Sequence, residues 1–412
     1  MHRLHPPPSA RRLPRSDGCA REAMPDITVS TLLELARDRT RLDDLGEPEF
    51  LPALEQLVQS INREATLTEG GHRAAQERFV RLLTNRLRFQ ADQKRHPEIL
   101  EQRLLPPVVI CGLPRVGSTK LHRLLAETQD FQALIFWQGF NPAPFGDTAP
   151  GDADPRIAEA VRFLEWRAGA NPATNAAHYM AALDPEEDTY LLEFTLHTYW
   201  PISYFEVPGF LAWLAGQDRD HAFRYLRKLL QYLQWQFHAN GPKPWVLKSP
   251  PNLGYEEHQA RHLPGARFVV LHRDPVEVLP STAAIVREVR RLYCGAPADV
   301  RRVGAWAIEE YGGAMERHLA WRKTVSRDTV LDVPYADVRD DDIGVMRRVY
   351  DFCGLAWSSE AEKRARSWSE QNRQHQHGVH RYSLEEAGLT AQQIERRFAD
   401  YLERFGPLCR PV

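Results

Sequence analysis

The sequence predicts an α/β fold in which a central parallel sheet is flanked by helices, with a helical layer on its N-terminal side and a helical cap inserted after the first strand. Three observations carry that prediction. Val108-Val109-Ile110-Cys111 is a short apolar run ending at Gly112, and Leu121, Leu124 and Leu125 follow at helical spacing, so strand, glycine loop and helix succeed one another. Trp245-Val246-Leu247 and Phe268-Val269-Val270-Leu271 are continuous apolar runs of the kind shown by strands buried on both faces, each followed by a helical pattern. Val330-Leu331-Asp332-Val333 adds a fourth strand, and right-handed crossovers would wind all four into one sheet.

The remaining elements follow in chain order. Residues 1–23 carry Pro6-Pro7-Pro8 and five arginines with little to bury, so they read as a disordered tail, with Met24 an alternative start. Residues 24–105 read as the helical layer: Leu32, Leu33 and Leu35, then Leu51, Leu54 and Leu57, then Phe79, Leu82, Leu83 and Leu87 recur three and four apart. Residues 106–412 form the α/β domain, and its cap, at about 137–240, ends in a long helix from Phe223 to Phe237 with Asn240-Gly241 as its stop. Helices are also expected over 340–352 and 390–405.

Bulk properties narrow the function. A chain of 412 residues with 43% hydrophobic content fills an ordinary globular core. With 53 Lys+Arg against 55 Asp+Glu, no global field draws it to nucleic acid or an anionic membrane, so any basic site is local. Cys19, Cys111, Cys294, Cys353 and Cys409 are odd in number, far apart and without a CxxC pair, which reads as reduced thiols. No apolar run approaches the ~18 residues that span a bilayer, and the N-terminus lacks an apolar leader core. A cytoplasmic protein without stable membrane insertion is expected.

The chemistry centres on Gly112-Leu113-Pro114-Arg115-Val116-Gly117-Ser118-Thr119. A glycine loop between strand and helix turns several backbone N–H groups and the positive end of the helix dipole on one point, which suits a phosphate. The nucleotide triphosphatase loop, GxxxxGK followed by Ser or Thr, is the nearest general template, but Ser118 stands where that loop has its Lys. The cation is Arg115, inside the loop, able to grip a phosphate through two N–H groups. A plain βα turn with an exposed arginine is the bland alternative. In the second constellation Arg273 ends a strand, Asp274-Pro275 opens a helix with a cap and a first-turn proline, and Ser281 lies two turns in. That too reads either as an anion site or as an ordinary helix start.

Together the two motifs resemble those of sulfotransferases that use 3′-phosphoadenosine 5′-phosphosulfate (PAPS). Leu113 to Thr119 is similar to the family's 5′-phosphosulfate loop, roughly x-Pro-Lys/Arg-Ser/Thr-Gly-Ser/Thr-Thr, and Arg273 with Ser281 eight residues on is similar to its 3′-phosphate motif. The resemblance is strongest to the bacterial branch related to tyrosylprotein and heparan sulfotransferases. Trp245 to Pro251 is similar to that branch's central strand and Lys-Ser-Pro turn, and His377 to Leu384 to its C-terminal segment. It implies a donor site formed by Arg115, Gly117, Ser118, Thr119, Arg273, Ser281 and Arg381, with Lys248 beside the leaving phosphate. It also implies PAPS as donor, no metal, and a small-molecule acceptor of lipid, phenol or carbohydrate type.

The general base departs from the family pattern. The related enzymes place a Glu some twenty residues beyond the loop, and the aligned position here is Gln138, which cannot accept a proton. His178 and Glu187 are the substitutes. A lone His is more often packed or exposed than catalytic, and Asp184-Pro185-Glu186-Glu187 also reads as a helix start with cap, Pro and acidic first turn. His375, His377 and His380 match no standard zinc spacing. Aromatic residues of the cap, such as Trp137, Tyr179, Trp200, Tyr204, Phe205 and Trp213, fit either an acceptor pocket or a core. Two rival functions stand beside sulfuryl transfer: an ATP- or GTP-dependent phosphotransferase, and a non-catalytic nucleotide-binding protein that has lost its base.

Overall fold

The computed structural model describes residues 24–146, 152–238, 241–295, 298–372 and 382–410. The N-terminal tail, Asn240, Arg381 and the histidines His375, His377 and His380 lie outside these residues. Five parallel strands, β1 (Val108–Gly112), β2 (Gln132–Ala133), β3 (Trp245–Lys248), β4 (Arg267–His272) and β5 (Val330–Pro334), form one sheet in the order β2-β3-β1-β4-β5. Four of them are the apolar runs of the sequence. The fifth, β2, escaped the sequence reading because two residues carry no period.

The sheet is buried on both faces. Val109, Cys111, Leu247, Phe268 and Val270 share a core with the N-terminal helices α1 (Val29–Thr40), α2 (Phe50–Glu64) and α3 (Glu69–Arg95), and with the long helix Asp220–Phe237. Val108, Ile110, Val246, Val269 and Leu271 face a second core with α4 (Ser118–Glu127) and the helices Asp342–Cys353 and Ala399–Cys409. The 390–405 pattern resolves into two helices, Ala391–Arg397 and Ala399–Cys409, with Phe398 between them. Helix α3 begins where Thr68 accepts the Gly71 N–H at 2.9 Å, has Glu69 in its first turn and Lys94 and Arg95 in its last, and so complements its own dipole.

One expectation fails locally. Asp184 to Glu187 precede the helix, which begins at Thr189 (Thr189–Leu192). The segment runs extended beside Leu134 and Ile135, with the Glu186 N–H bonded to the Leu134 carbonyl at 2.8 Å and Ile135 bridged to Pro185. The Glu186 and Glu187 carboxylates point to Lys248 and His178 instead of to helix amides.

A buried ion cluster ties α3 to the cap. Glu193, 2% exposed, accepts from Arg78 and, at 3.2 Å, from Arg81; Arg78 stacks 4.0 Å above Tyr204 and Arg81 lies 4.1 Å from the Phe140 ring. Two guanidiniums share one carboxylate, so its loss would strand two cations in a dry interior. Glu193→Gln should destabilise the protein by about 3–5 kcal/mol in chemical denaturation, far beyond the ±0.5 kcal/mol of an ordinary surface substitution.

Candidate active site

Residues at the C-terminal ends of β1, β3 and β4 converge. Between β1 and α4 the backbone turns through left-handed conformations at Arg115 (φ 66°) and Gly117 (φ 84°). A Cβ on Gly117 would stand 3.1 Å from the Tyr335 ring, so glycine answers both the conformation and the close approach. Helix α4 starts at Ser118 with no side-chain cap, which leaves its first N–H groups free to meet an anion.

Arg115 and Arg273 meet here. The Arg273 Nη1 donates to the Arg115 carbonyl at 2.8 Å, and its guanidinium stacks 4.2 Å above the Tyr335 ring while its Nε binds Glu277 at 3.0 Å. Among the described residues no carboxylate pairs with Arg115, whose Nη1 reaches only the Ala177 carbonyl at 3.5 Å. Burial lowers the Arg115 pKa from its ordinary value, and Arg273 nearby adds to that effect. Asp274 caps the following helix, Pro275–Cys294, accepting from the Val276 N–H at 2.9 Å. Two turns in, the Ser281 hydroxyl is buried and has no hydrogen-bond partner among the described residues.

Lys248, at the end of β3, is 1% exposed. Its ammonium donates to Glu187 Oε1 at 2.7 Å and to Thr119 Oγ1 at 3.4 Å, and lies 3.9 Å from Glu186 Oε1, linking the phosphate loop to the acidic segment. His178 Nε2 stands 3.4 Å from Glu186 Oε2. Burial alone would raise the Glu186 carboxyl, but His178, Lys248 and Arg123 together hold it below the usual carboxylate range. Asp188 behaves in the opposite way. Burial, reinforced by the adjacent Glu187, pushes its carboxyl up to about 7, and Asn252 Nδ2 donates to it at 2.9 Å.

Arg115, Ser118, Thr119, His178 and Glu187 line a cavity of about 130 Å³ together with apolar and aromatic residues, Met180, Trp200, Tyr204 and Val286 among them. Of the cap aromatics raised by the sequence, only Trp200 and Tyr204 reach it; Trp137 and Phe205 pack in cores. Gln138 stands away from this cavity. Its Oε1 accepts the Ile135 N–H at 3.3 Å, closing the first turn of its own short helix. Glu186 and Asp188 were passed over in the sequence, since a carboxylate run after proline looks like a helix cap; the lysine at the end of β3 was the available signal.

The family model described as "Sulfotransferase family" matches residues 106–359, more than half of the chain. This chain is a member of the sulfotransferase family. Two solved structures are similar over nearly their whole length: sulfotransferase STF1 from Mycobacterium tuberculosis, at 27% identity and TM-score 0.78, covering 91% of this chain and 99% of that one, and sulfotransferase STF9 from Mycobacterium avium, at 25% identity and TM-score 0.81, covering 93% and 98%. No curated protein sequence matches the chain. For this sulfotransferase family member the matched segment contains both arginine motifs, Lys248 and the acidic run.

The shifted carboxyl of Asp188 has a measurable sign. Its folded pKa lies above that of an unfolded Asp, so between about pH 4 and pH 7 the unfolded chain ionises first and stability falls as pH rises; below that window the cost is absent. Asp188→Asn keeps the Asn252 bond and removes the ionisation. Its urea-denaturation free energy should drop by about 2–4 kcal/mol less than that of the wild type across this window, and parallel pH profiles for the two proteins would contradict the assignment.

Proposed function

We propose that this protein transfers a sulfuryl group from PAPS to a hydroxyl or amine of a small-molecule acceptor, in the cytoplasm and without a metal. The observation that carries this reading is the bond from Arg273 to the Arg115 carbonyl, which joins two anion motifs 158 residues apart into one cradle. The residues present fit such a donor: the Ser281 hydroxyl is buried without a partner, the α4 amides are uncapped, and Arg115 lacks a carboxylate among the described residues. In this reading Arg115, Gly117, Ser118 and Thr119 hold the 5′-phosphate, and Arg273 and Ser281 the 3′-phosphate. Arg381 belongs to the same donor set by resemblance. The donor, when bound, supplies a sulfuryl group on a phosphate leaving group.

The remaining work falls to side chains of the cavity. Lys248 stabilises the charge that grows on the leaving oxygen, within reach of Thr119. Glu187 lines the cavity and accepts the acceptor's proton, its bond to Lys248 loosening once the lysine has a phosphate to face. His178, paired with Glu186, orients the acidic segment. The phosphotransferase reading lacks a loop lysine, and the non-catalytic reading loses its ground when the acid at the cavity is Glu187 rather than position 138. No described helix is long and apolar enough to cross a membrane, and the described cysteines Cys111, Cys294, Cys353 and Cys409 are unpaired, which supports the cytoplasmic placement.

Adenosine 3′,5′-bisphosphate at ~100 times its Kd should stabilise the wild type by about 2.7 kcal/mol in thermal unfolding. Arg115→Gly, which tolerates the left-handed backbone, and Arg273→Ala should each lose this shift while remaining folded; an undiminished shift in both removes the donor site. Glu187→Gln should keep the shift and lose about 10²–10⁴-fold in kcat for sulfation of a phenol. His178→Asn should stay within tenfold of wild type, and the reverse pattern would make His178 the base.

A further inference from the structure

The reaction cavity is small for the ligands its walls suit. Its volume, about 130 Å³, lies well below the ~300–1,000 Å³ of ordinary small-molecule pockets. Its lining joins polar residues, Arg115, Thr119 and Glu187 among them, to apolar ones such as Phe163, Tyr204 and Val286. Phe163 has a second face. It also lines a groove of about 410 Å³ between α3 and the helix Pro155–Ala170, whose apolar wall is Ala74, Phe140, Phe163, Trp166 and Tyr293. The two are neighbours: Phe163 lines both, Tyr204 of the cavity meets Tyr293 of the groove edge to face with ring centroids 5.4 Å apart, and Arg78, also of the groove, stacks 4.0 Å above Tyr204. Of the charges that line the groove, Arg73 pairs with Glu69, Glu77 with Arg39 at 2.6 Å, and Arg78 and Arg81 with Glu193, while Glu159 accepts from Asn141 at 2.8 Å and Arg162 stands beside it.

We propose that this groove is a second subsite for the acceptor, holding the apolar tail of an alkyl- or aryl-extended phenol or alcohol whose hydroxyl sits in the reaction cavity, with Phe163 as the wall the tail passes. The proposal rests on the sulfuryl-transfer reading for the hydroxyl end and on the groove's own geometry for the tail. Cavity and groove together reach the volume of a typical ligand pocket. A tail laid along Trp166 and Phe140 leaves water, and each further methylene buried there tightens binding about fourfold.

Gly70 supplies a clean test. It is an exposed residue on the groove's edge, and a Cβ built there meets nothing within 4 Å, so Gly70→Trp can fill the groove without disturbing the fold. Calorimetric titration with phenol and with 4-nonylphenol, in the presence of adenosine 3′,5′-bisphosphate, reads the subsite directly. The wild type should bind 4-nonylphenol at least ~100-fold tighter than phenol, equivalent to two steps of 1.4 kcal/mol. Gly70→Trp should cut that ratio at least tenfold with phenol binding and the bisphosphate shift intact, and Phe163→Ala should raise the ratio. Equal affinities for the two phenols, or a ratio unmoved by Gly70→Trp, would overturn the subsite. Tight, Gly70-sensitive binding of 4-nonylphenol with no sulfated product on any phenol would instead leave the subsite standing and remove the proposed reaction.

Discussion

Everything chemical in this molecule depends on β1 lying between β3 and β4 in a parallel sheet. Because the three strands run the same way, their last residues open onto one edge, and the register that sets Gly112 beside Leu271 brings the phosphate loop within reach of Arg273. Ile110 paired with Lys248 does the same for the lysine on the other side. Cations that are 133 and 158 residues away from Arg115 along the chain thereby act on one small volume. The sheet's burial on both faces keeps that volume dry, and in a dry site fixed charges act strongly on one another.

The same dryness sets the character of the acidic segment. Three successive carboxylates, Glu186, Glu187 and Asp188, lie beside one lysine and one histidine, and the first and last of them do not ionise alike. Glu186 is held charged by its neighbours, whereas Asp188, with an amide for its partner, takes on a near-neutral pKa. Glu186 has His178, Lys248 and Arg123 to favour its charge, whereas Asp188, deeply buried, has the adjacent Glu187 charge set against Lys248. The division leaves Glu187, between the two, as the acid that both touches the lysine and opens to the cavity.

Much of this was legible in the chain. The four longer strands announced themselves as unbroken apolar runs, and the glycine loop was recognisable because its left-handed turn and the close approach of Tyr335 restrict which residues can stand there. What escaped was set by tertiary packing. Two-residue β2 has no pattern to read, and the helix expected at Asp184 gave way to an extended stretch because a bridge to Ile135 and the pull of Lys248 outweigh a local capping preference. Gln138 stands at the position where the family pattern has a base, but sequence spacing could not tell that its side chain turns back onto its own short helix. Neither the cavity's apolar wall nor the outer groove was readable, since each gathers residues from helices far apart in the chain.

Helix α3 packs so closely on the end of the helix that follows Arg273 that a Cβ on Gly71 would fall 1.8 Å from the Tyr293 carbonyl. The family-matched stretch begins only at residue 106, yet Phe79, Leu83 and Leu87 share one continuous interior with Val109 and Val270. The recognisable portion therefore shares its interior with helices outside it: cut free at residue 106, it would expose to water the apolar side chains that Phe79, Leu83 and Leu87 now cover.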